Sequence, residues 1–118
     1  MLKLFRTRPK LNWQHLESVE DLHNALSLDG KVALFKHSTR CPVSSMAKNR
    51  LETSWEQDLK GTPIYFLDLI RYRSVSNKIA DDLGIDHASP QLIVVENNTV
   101  VYYASHHMIQ TIEIAKHI

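Results

Sequence analysis

The sequence predicts an α/β protein whose mixed sheet of four to five strands is flanked by helices on both faces. Short apolar runs alternate with amphipathic segments over much of the chain, which is typical of parallel strands connected by helices. Two further apolar runs are joined by a tight polar turn, which predicts a hairpin. With 118 residues, of which 43% are hydrophobic and 23% charged, we expect a single domain over 1–118, with 1–11 as a flexible N-terminal segment.

The first part of the chain predicts a helix between two strands. Residues 12–15 are expected to add a short edge strand, and Ser18 with Asp21 resembles a capping box that begins a helix. That helix is expected to continue until Asp29 and Gly30 stop it. An apolar run then predicts a core strand over 31–37.

A second helix is predicted over 42–59. Pro42 suits its first turn, where the missing N–H costs nothing, and Gly61 follows its end. Helical spacing predicts that one apolar face packs in the core, and we expect Met46 to be buried there. This face consists of Val43, Met46, Ala47, Leu51, Trp55 and Leu59.

The next segment predicts another strand and a shorter helix. The strand is expected over 63–68, and the helix over 75–83. Ser74 is the expected N-cap of this helix, and Gly84 its C-terminal stop.

The last part of the chain predicts a hairpin and a closing helix. Strands over 92–95 and 100–103 are joined through Asn97 and Asn98, because asparagine tolerates the left-handed conformations of a tight turn. The closing helix, with Ser105 as its N-cap, is predicted from a final apolar pattern of Met108, Ile109, Ile112 and Ala115.

Cys41 is the single cysteine of the chain and lies where the strand over 31–37 gives way to the following helix. The positive end of a helix and its unpaired N–H groups favour a thiolate, which is the nucleophilic form of cysteine. Arg40 adds positive charge, and hydroxyl groups flank the position. The alternative is a small, inert, buried side chain, for which apolar neighbours would be expected. We therefore predict a reactive cysteine.

The lone cysteine also limits the chemistry. Dithiol oxidoreductases carry a second cysteine three residues further on, and here that position is Ser44. Any disulfide made by Cys41 must therefore join it to another molecule, either a protein or a small thiol.

The predicted order, a β-α-β half followed by a β-β-α half with cysteine at the first strand–helix junction, is the thioredoxin arrangement. Ser89–Pro90 lies just before the third core strand, where thioredoxin-like proteins carry a cis proline that faces the catalytic cysteine. More narrowly, the stretches 37–44 and 87–91 resemble the monothiol bacilliredoxins, the YtxJ-like proteins, whose active-site pattern is Thr-Cys-Pro-Ile-Ser. Val43 replaces the isoleucine of that pattern and Arg40 replaces its threonine.

This resemblance implies an enzyme that reverses protein S-bacillithiolation, with Cys41 as its nucleophile. Bacillithiol, a glucosaminyl-malate thiol, would be a co-substrate, and no bound cofactor is expected. The residues expected to stabilise the thiolate or bind substrate are Thr39, Arg40, Pro42, Val43, Ser44, Ser89 and Pro90.

Other polar residues have candidate roles beside solvated-surface alternatives. Arg71 and Arg73 follow the second core strand and could contact the malate carboxylates of bacillithiol, as could Lys48 and Arg50. Alternatively, all four are surface charges.

The seven histidines invite a metal interpretation, in which His37 and His87 converge with Cys41. Their spacing does not support a metal site, and none is expected. The adjacent His106 and His107 would be poor joint ligands. We expect His37 to end its strand facing solvent, although an imidazolium there could stabilise the thiolate.

A net charge of +1 and the absence of a basic stripe argue against nucleic-acid binding. No apolar run is long enough to span a membrane. The expected partners are bacillithiol and S-bacillithiolated client proteins, and we expect a cytoplasmic monomer.

Trp13 and Trp55 are expected to be buried or half-buried.

Two other functions compete with thiol–disulfide exchange on bacillithiolated proteins. The protein could be a non-catalytic redox sensor or interaction module that is modified at Cys41. It could also be a glutathione-linked monothiol glutaredoxin that handles iron–sulfur clusters. The familiar Cys-Gly-Phe-Ser stretch of the latter is absent, because Pro42 and Val43 follow the cysteine.

Overall fold

The structure, a computed structural model, describes residues 11–59 and 61–118. It contains one five-stranded sheet with the strand order β1-β3-β2-β4-β5. β1 and β2 run parallel to β3, whereas β4 is antiparallel to both β2 and β5. The predicted mixed sheet and its short edge strand are confirmed. The strands are β1 (Gln14–His15), β2 (Lys31–His37), β3 (Ile64–Asp68), β4 (Gln91–Glu96) and β5 (Thr99–Ser105).

Helices cover both faces of the sheet, as the sequence predicts. Alternation along β2 sends Phe35 to one face and Leu34 to the other. The Phe35 face packs against α2 and α4, and the Leu34 face packs against α1 and α3. The helices are α1 (Val19–Leu26), α2 (Pro42–Asp58), α3 (Arg73–Leu83) and α4 (Thr111–Ala115), and a 3-10 turn over His106–Met108 precedes α4.

The start of the described chain belongs to the core. Leu11 is buried, and half-buried Trp13 stacks on Phe35 with ring centroids 5.7 Å apart. Trp13 Nε1 donates to Glu52 Oε2 at 2.8 Å. Of the segment expected to be flexible, residues 1–10 lie outside the described residues. Trp55 is buried, as expected.

α1 begins as predicted but ends early. Ser18 Oγ accepts a hydrogen bond from the N–H of Asp21 at 3.0 Å, which confirms the cap. The helix ends at Leu26, and Ser27 Oγ donates to the carbonyl of His23. This side-chain bond occupies a carbonyl of the last turn, so Asp29 and Gly30 lie in the loop beyond it.

The predicted buried face of α2 is wrong at Met46, which is 62% exposed, and at Val43. Ser44 is fully buried instead. At about 100° per residue, Met46 lies roughly 200° around the helix from Ser44, so burying one exposes the other. The buried residues of α2 are Ser44, Ala47, Leu51 and Trp55.

The predicted cap of α3 is also wrong. The helix begins at Arg73 after the N-cap Tyr72, so Ser74 lies inside its first turn. Asp68 Oδ1 accepts from the N–H groups of Ile70 and Arg71, which organises the preceding turn. At the other end, Gly84 is left-handed and ends the helix, as predicted.

The predicted closing helix is broken in two: Ser105 is the N-cap residue of the 3-10 turn, without a side-chain capping bond, and is not the N-cap of α4. Gln110 occupies that position, and buried Ile109 separates α4 from the 3-10 turn. Thr111 Oγ1 donates to Asp58 Oδ2 of α2 at 2.7 Å. This anchor favours burial of Ile109 and Ile114, whereas Met108 and Ile112 are exposed.

The turn between β4 and β5 confirms the prediction, because Asn97 and Asn98 both have positive φ, 52° and 64°. At the opposite end of the sheet, β2 and β3 end side by side, with His37 opposite Asp68. β4 begins at the same edge, where Gln91 pairs with Lys36. The topology thus brings together the loop that carries Cys41, the β3–α3 turn and the Ser89–Pro90 segment.

Candidate active site

Cys41 is the N-cap residue of α2 and is partly exposed. Its N–H donates to the carbonyl of Ser38 at 3.2 Å, and its carbonyl accepts from Ser45 N–H at 3.1 Å. The backbone of the reactive residue is therefore held from both sides. The sulfur makes no capping hydrogen bond to the first turn of the helix. Its position at the positive end of the α2 dipole agrees with the sequence interpretation.

Ser44, at the position of a resolving cysteine, is the centre of a buried hydrogen-bond network. Its Oγ accepts from the N–H of Ser38 at 3.0 Å and lies 2.7 Å from Nδ1 of His37. One hydroxyl group thus connects α2, the end of β2 and the loop before Cys41. This network positions the cysteine loop on the helix and leaves Ser44 with no exposed surface for substrate contact.

His37 is buried, so the expectation that it faces solvent is wrong. Its ring lies 5.3 Å from the ring of Phe66, between centroids. Burial lowers the pKa of His37, and the charge of Lys48 lowers it further, against smaller opposing effects of Asp68 and Glu52. The neutral imidazole is therefore favoured, and His37 does not supply an imidazolium to the thiolate at neutral pH.

The remaining residues of the motif form the surface around the sulfur. Thr39, Arg40, Pro42 and Val43 are exposed. The N–H of Arg40 donates to Ser38 Oγ at 3.3 Å, which orders the turn before the cysteine. These side chains are free to meet a substrate, and their predicted roles stay predictions.

The Ser89–Pro90 peptide bond is cis, as the resemblance implies. Pro90 is buried, and its carbonyl accepts from the N–H of His106 at 3.1 Å. The hydroxyl of Ser89 is buried and has no hydrogen-bond partner. Because Gln91 pairs with Lys36, this segment lies beside the end of β2 that leads to Cys41.

The two arginines proposed for carboxylate binding are both exposed at this edge of the sheet. Arg71 lies in the turn after β3 and stacks over the ring of Tyr72, with 5.3 Å from its guanidinium carbon to the ring centroid. Arg73 is the first residue of α3.

The two further cations of α2 have structural partners. Lys48 pairs with Glu52 at 2.7 Å. Arg50 donates to the carbonyls of Ile109 and His106, at 3.0 and 3.1 Å, and so ties α2 to the segment before α4.

Sequence reasoning missed Lys36, which is fully buried in β2. Its Nζ lies 3.3 Å from Nδ1 of His87. Burial lowers the pKa of Lys36 to about 8. The available signal was a lysine on the same strand face as Val32 and Leu34, two core residues.

Over residues 11–59 and 61–118, no three His, Cys, Asp or Glu side chains are grouped to hold a metal ion.

The comparison with protein families decides the family of the chain. A family model described as monothiol bacilliredoxin BrxC matches residues 14–114. The chain belongs to the monothiol bacilliredoxin family. The matched span of this bacilliredoxin contains Cys41, the cis Ser89–Pro90 bond and all five strands.

Solved structures confirm the thioredoxin fold of the bacilliredoxin. One, whose description names a thioredoxin fold, has a TM-score of 0.79 at 24% identity and covers 87% of this chain and 90% of its own. The thioredoxin Mala s 13 of Malassezia sympodialis has a TM-score of 0.76 at 14% identity, with coverage of 95% and 96%. Mitochondrial thioredoxin 3 of Saccharomyces cerevisiae has a TM-score of 0.70 at 12% identity, with coverage of 88% and 91%.

Family, fold and geometry together support thiol redox chemistry for the bacilliredoxin. A partly exposed cysteine at a helix N-terminus can attack a disulfide, and the resolving position holds a hydroxyl that cannot. The family implies partners related to bacillithiol. None of the helices in the described chain is both long and apolar enough to cross a membrane.

Proposed function

We propose that this bacilliredoxin is a monothiol oxidoreductase that removes bacillithiol from S-bacillithiolated proteins. The observation that carries the proposal is the pair formed by Cys41 and Ser44 at the start of α2. The cysteine is accessible, whereas the position of a resolving thiol holds a buried hydroxyl bonded to His37 and Ser38. Such a site supports exchange with an external thiol and excludes an internal disulfide.

The proposed reaction has two exchange steps. The Cys41 thiolate attacks the bacillithiol sulfur of the client's mixed disulfide, so a new S–S bond forms and the client leaves as a thiolate. A second bacillithiol thiolate then attacks the bacillithiol sulfur bound to Cys41. The Cys41 thiolate is restored and oxidised bacillithiol leaves. Over the two steps the client sulfur is reduced from disulfide to thiolate and the sulfur of the free bacillithiol is oxidised from thiolate to disulfide, while the bacillithiol sulfur first attached to the client stays in a disulfide throughout.

The client is proposed to bind across the surface around Cys41. Val43 is 41% and Met46 62% exposed, so the first turns of α2 offer apolar contact area beside the sulfur. The Ser89–Pro90 segment lies at the same sheet edge and offers backbone groups to an extended chain. Thr39 and Arg40 complete the exposed rim, and Pro42 holds the start of the helix.

Bacillithiol is proposed as the co-substrate, with Arg71 and Arg73 as contacts for its malate carboxylates. Both guanidinium groups are exposed at the edge of the sheet where Cys41 lies. Guanidinium groups bind carboxylates with two parallel hydrogen bonds, which suits a dicarboxylate. The second step consumes a free thiol and needs a reducing compartment, so we propose that the protein acts in the cytoplasm. We also propose that it acts as a monomer.

A turnover assay tests the proposal against the sensor alternative. A client protein carrying bacillithiol is incubated with the bacilliredoxin at one hundredth of its concentration and with excess free bacillithiol. We expect many clients to be reduced per enzyme molecule, at a rate well above that of bacillithiol alone. Release of at most one client per molecule, with Cys41 left modified, would favour the non-catalytic sensor.

A further inference from the structure

His37 is a buried histidine beside the cysteine loop, and the two proposed exchange steps do not use it. It is the last residue of β2, and its Nδ1 lies 2.7 Å from Oγ of Ser44. Both residues are shielded from water, with exposed fractions of 5% and 0%. A polar contact at such a depth has to be satisfied within the protein, so the position of each of its protons can be deduced.

The Ser44 hydroxyl has one proton to donate and two lone pairs that accept. The N–H of Ser38 occupies one lone pair, at 3.0 Å. The hydroxyl groups of Ser27 and Thr53 donate to the carbonyl four residues earlier, at 2.7 and 2.8 Å. Ser44 makes no such bond, and within the described part of the chain its Oγ contacts Ser38 and His37 alone. Its proton therefore points to Nδ1 of His37.

The imidazole of His37 is neutral and carries its proton on Nε2, because Nδ1 accepts from the hydroxyl. The surroundings favour the same form. Burial is the largest effect and lowers the pKa of His37, and the charge of Lys48 lowers it further. Asp68, Glu52 and the backbone of Ser44 raise this pKa, each by a smaller effect.

The direction of the Ser44 proton matters because Ser44 is the third residue of α2, and Cys41 is its N-cap. The side chain of a third helical residue lies close enough to the N-cap to bond back to it, as in a capping box. Here the hydroxyl donates to His37 instead, and the Cys41 sulfur makes no capping bond. Without the imidazole, the same proton would be free to turn to the thiolate.

We propose that His37 is a positioning residue for the exchange at Cys41. It accepts the Ser44 proton and so withholds it from the sulfur, which leaves the thiolate without that hydrogen bond. A thiolate that accepts a hydrogen bond is less basic, so it attacks a disulfide more slowly and leaves a disulfide more readily. The inference rests on the proposed function in taking Cys41 as the nucleophile, and it applies to any small thiol.

The test measures two exchange steps separately with hydroxyethyl disulfide, which contains neither bacillithiol nor a client. In the first step the Cys41 thiolate attacks one sulfur of this disulfide, a mixed disulfide forms, and mercaptoethanol leaves as its thiolate. In the second step added mercaptoethanol attacks its own sulfur in the mixed disulfide, and the Cys41 thiolate leaves. Mass spectrometry of the intact protein follows both steps, at a pH above which the first step becomes no faster.

We expect His37→Phe to slow the first step about threefold and to speed up the second step. A hydrogen bond stabilises the thiolate about tenfold relative to the thiol, and the rate of attack changes as roughly the 0.4–0.5 power of that factor. Opposite changes in the two steps are not the result of structural damage, because a disturbed start of α2 would slow both.

Three variants test whether the effect passes through Ser44. His37→Asn keeps an oxygen acceptor near the position of Nδ1, so both rates should return close to those of the wild type. In the Ser44→Ala background, His37→Phe should change neither step, because the hydroxyl is missing. His15→Phe is the matched control, since His15 also lies beside the Phe66 ring, with centroids 5.8 Å apart. It should leave both steps unchanged.

Nitrogen NMR of the wild type with labelled histidine gives a readout that does not depend on the folding of His37→Phe. At neutral pH His37 Nδ1 should carry no proton, and Ser44→Ala should shift its signal. A proton on Nδ1 would overturn the inference, and so would slowing of both steps, or no change in either, in His37→Phe. In those cases an adduct on the wild type leaves the proposed function standing. If the wild type forms no adduct, the proposed function fails and the inference fails with it.

Discussion

Cys41 is the only residue of the chain able to form a disulfide, and it lies partly exposed at the start of α2. We therefore predict that Cys41→Ser abolishes all thiol–disulfide exchange, because the nucleophile in this exchange is a thiolate and a serine hydroxyl does not replace it. Mass spectrometry after incubation with oxidised bacillithiol should find one adduct on the wild type and none on the variant. Ser45→Ala, next to the same turn, is the control and should keep the adduct. An adduct on Cys41→Ser would contradict the assignment.

Ser44 has a structural effect that can be separated from chemistry. Ser44→Ala removes the acceptor of the Ser38 N–H and the partner of His37 Nδ1, both at a buried site. We predict a loss of about 1–3 kcal/mol in the free energy of unfolding, because buried polar groups are left unpaired. Urea denaturation measures it, with exposed Ser45→Ala as the matched control. Equal free energies of unfolding for Ser44→Ala and Ser45→Ala would show that the hydrogen bonds of Ser44 do not stabilise the fold.

The same position tests the shared geometry of the helix start. Ser44→Cys supplies the resolving thiol that the chain lacks, three residues after Cys41. We predict that this variant, once it carries a small-thiol adduct, forms an internal disulfide and releases the thiol. Alkylation followed by mass spectrometry should find both cysteines protected. If Cys41 keeps its adduct and the cysteine introduced at position 44 still reacts with the alkylating reagent, the two sulfurs do not come within bonding distance and the predicted geometry is wrong.

At the scale of elements, the β4–β5 hairpin depends on its two turn residues. Asn98 has a φ of 64°, a conformation that asparagine and glycine tolerate and that β-branched residues do not. We predict that Asn98→Val costs roughly 1–2 kcal/mol of stability, whereas Asn98→Gly is neutral within error. Thermal denaturation of both variants checks this. A stable Asn98→Val protein would mean that the turn readily adopts another conformation.

The wrong predictions for α2 and for the closing helix have the same physical cause, which is hydrogen bonding between elements. Apolar spacing in α2 points to Met46, but the polar Ser44 is the residue that faces the sheet, because it bonds to His37. In the same way, Thr111 and Arg50 connect the last segment to α2 through polar groups. A hydrophobic pattern does not register such bonds: the partners of Thr111 and Arg50 lie 53 and 59 positions away, and His37, seven positions from Ser44, belongs to another element.

At the scale of the whole molecule, Lys36 links stability to pH. Its pKa falls from 10.5 to about 8 on folding, because burial disfavours the charged form. Between these values the unfolded chain binds more protons than the folded one, so this lysine makes stability rise as pH rises. We predict that Lys36→Met removes this rise. Urea denaturation at pH 8 and at pH 10 measures it.

The change in the free energy of unfolding between pH 8 and pH 10 isolates the contribution of Lys36. Other groups titrate in the same range, but they contribute equally to the wild type and the variant if they do not contact Lys36. Lys78→Met, on the exposed side of α3, is the control and should keep the wild-type difference. A wild-type difference retained in Lys36→Met would mean that Lys36 is not the group responsible.

The sequence alone was sufficient for the features that depend on neighbouring residues. Alternating apolar runs predicted the mixed sheet and the order of its elements, Asn97 and Asn98 predicted the hairpin turn, and Ser18 predicted the start of α1. The position of Cys41 before Pro42 predicted the residue on which the proposed chemistry depends. These signals are local, because they reflect backbone conformation and side-chain spacing within a few residues.

The tertiary structure decided which distant groups meet. β4 pairs with β2, and this pairing puts Gln91 opposite Lys36 and carries Ser89–Pro90 to the cysteine edge. The contact between Lys36 and His87 crosses 51 positions of sequence, and burial of His37 needs both Phe66 and α2. Strand order, burial and the pKa changes that follow from them depend on packing across the whole chain, which no short stretch of residues encodes.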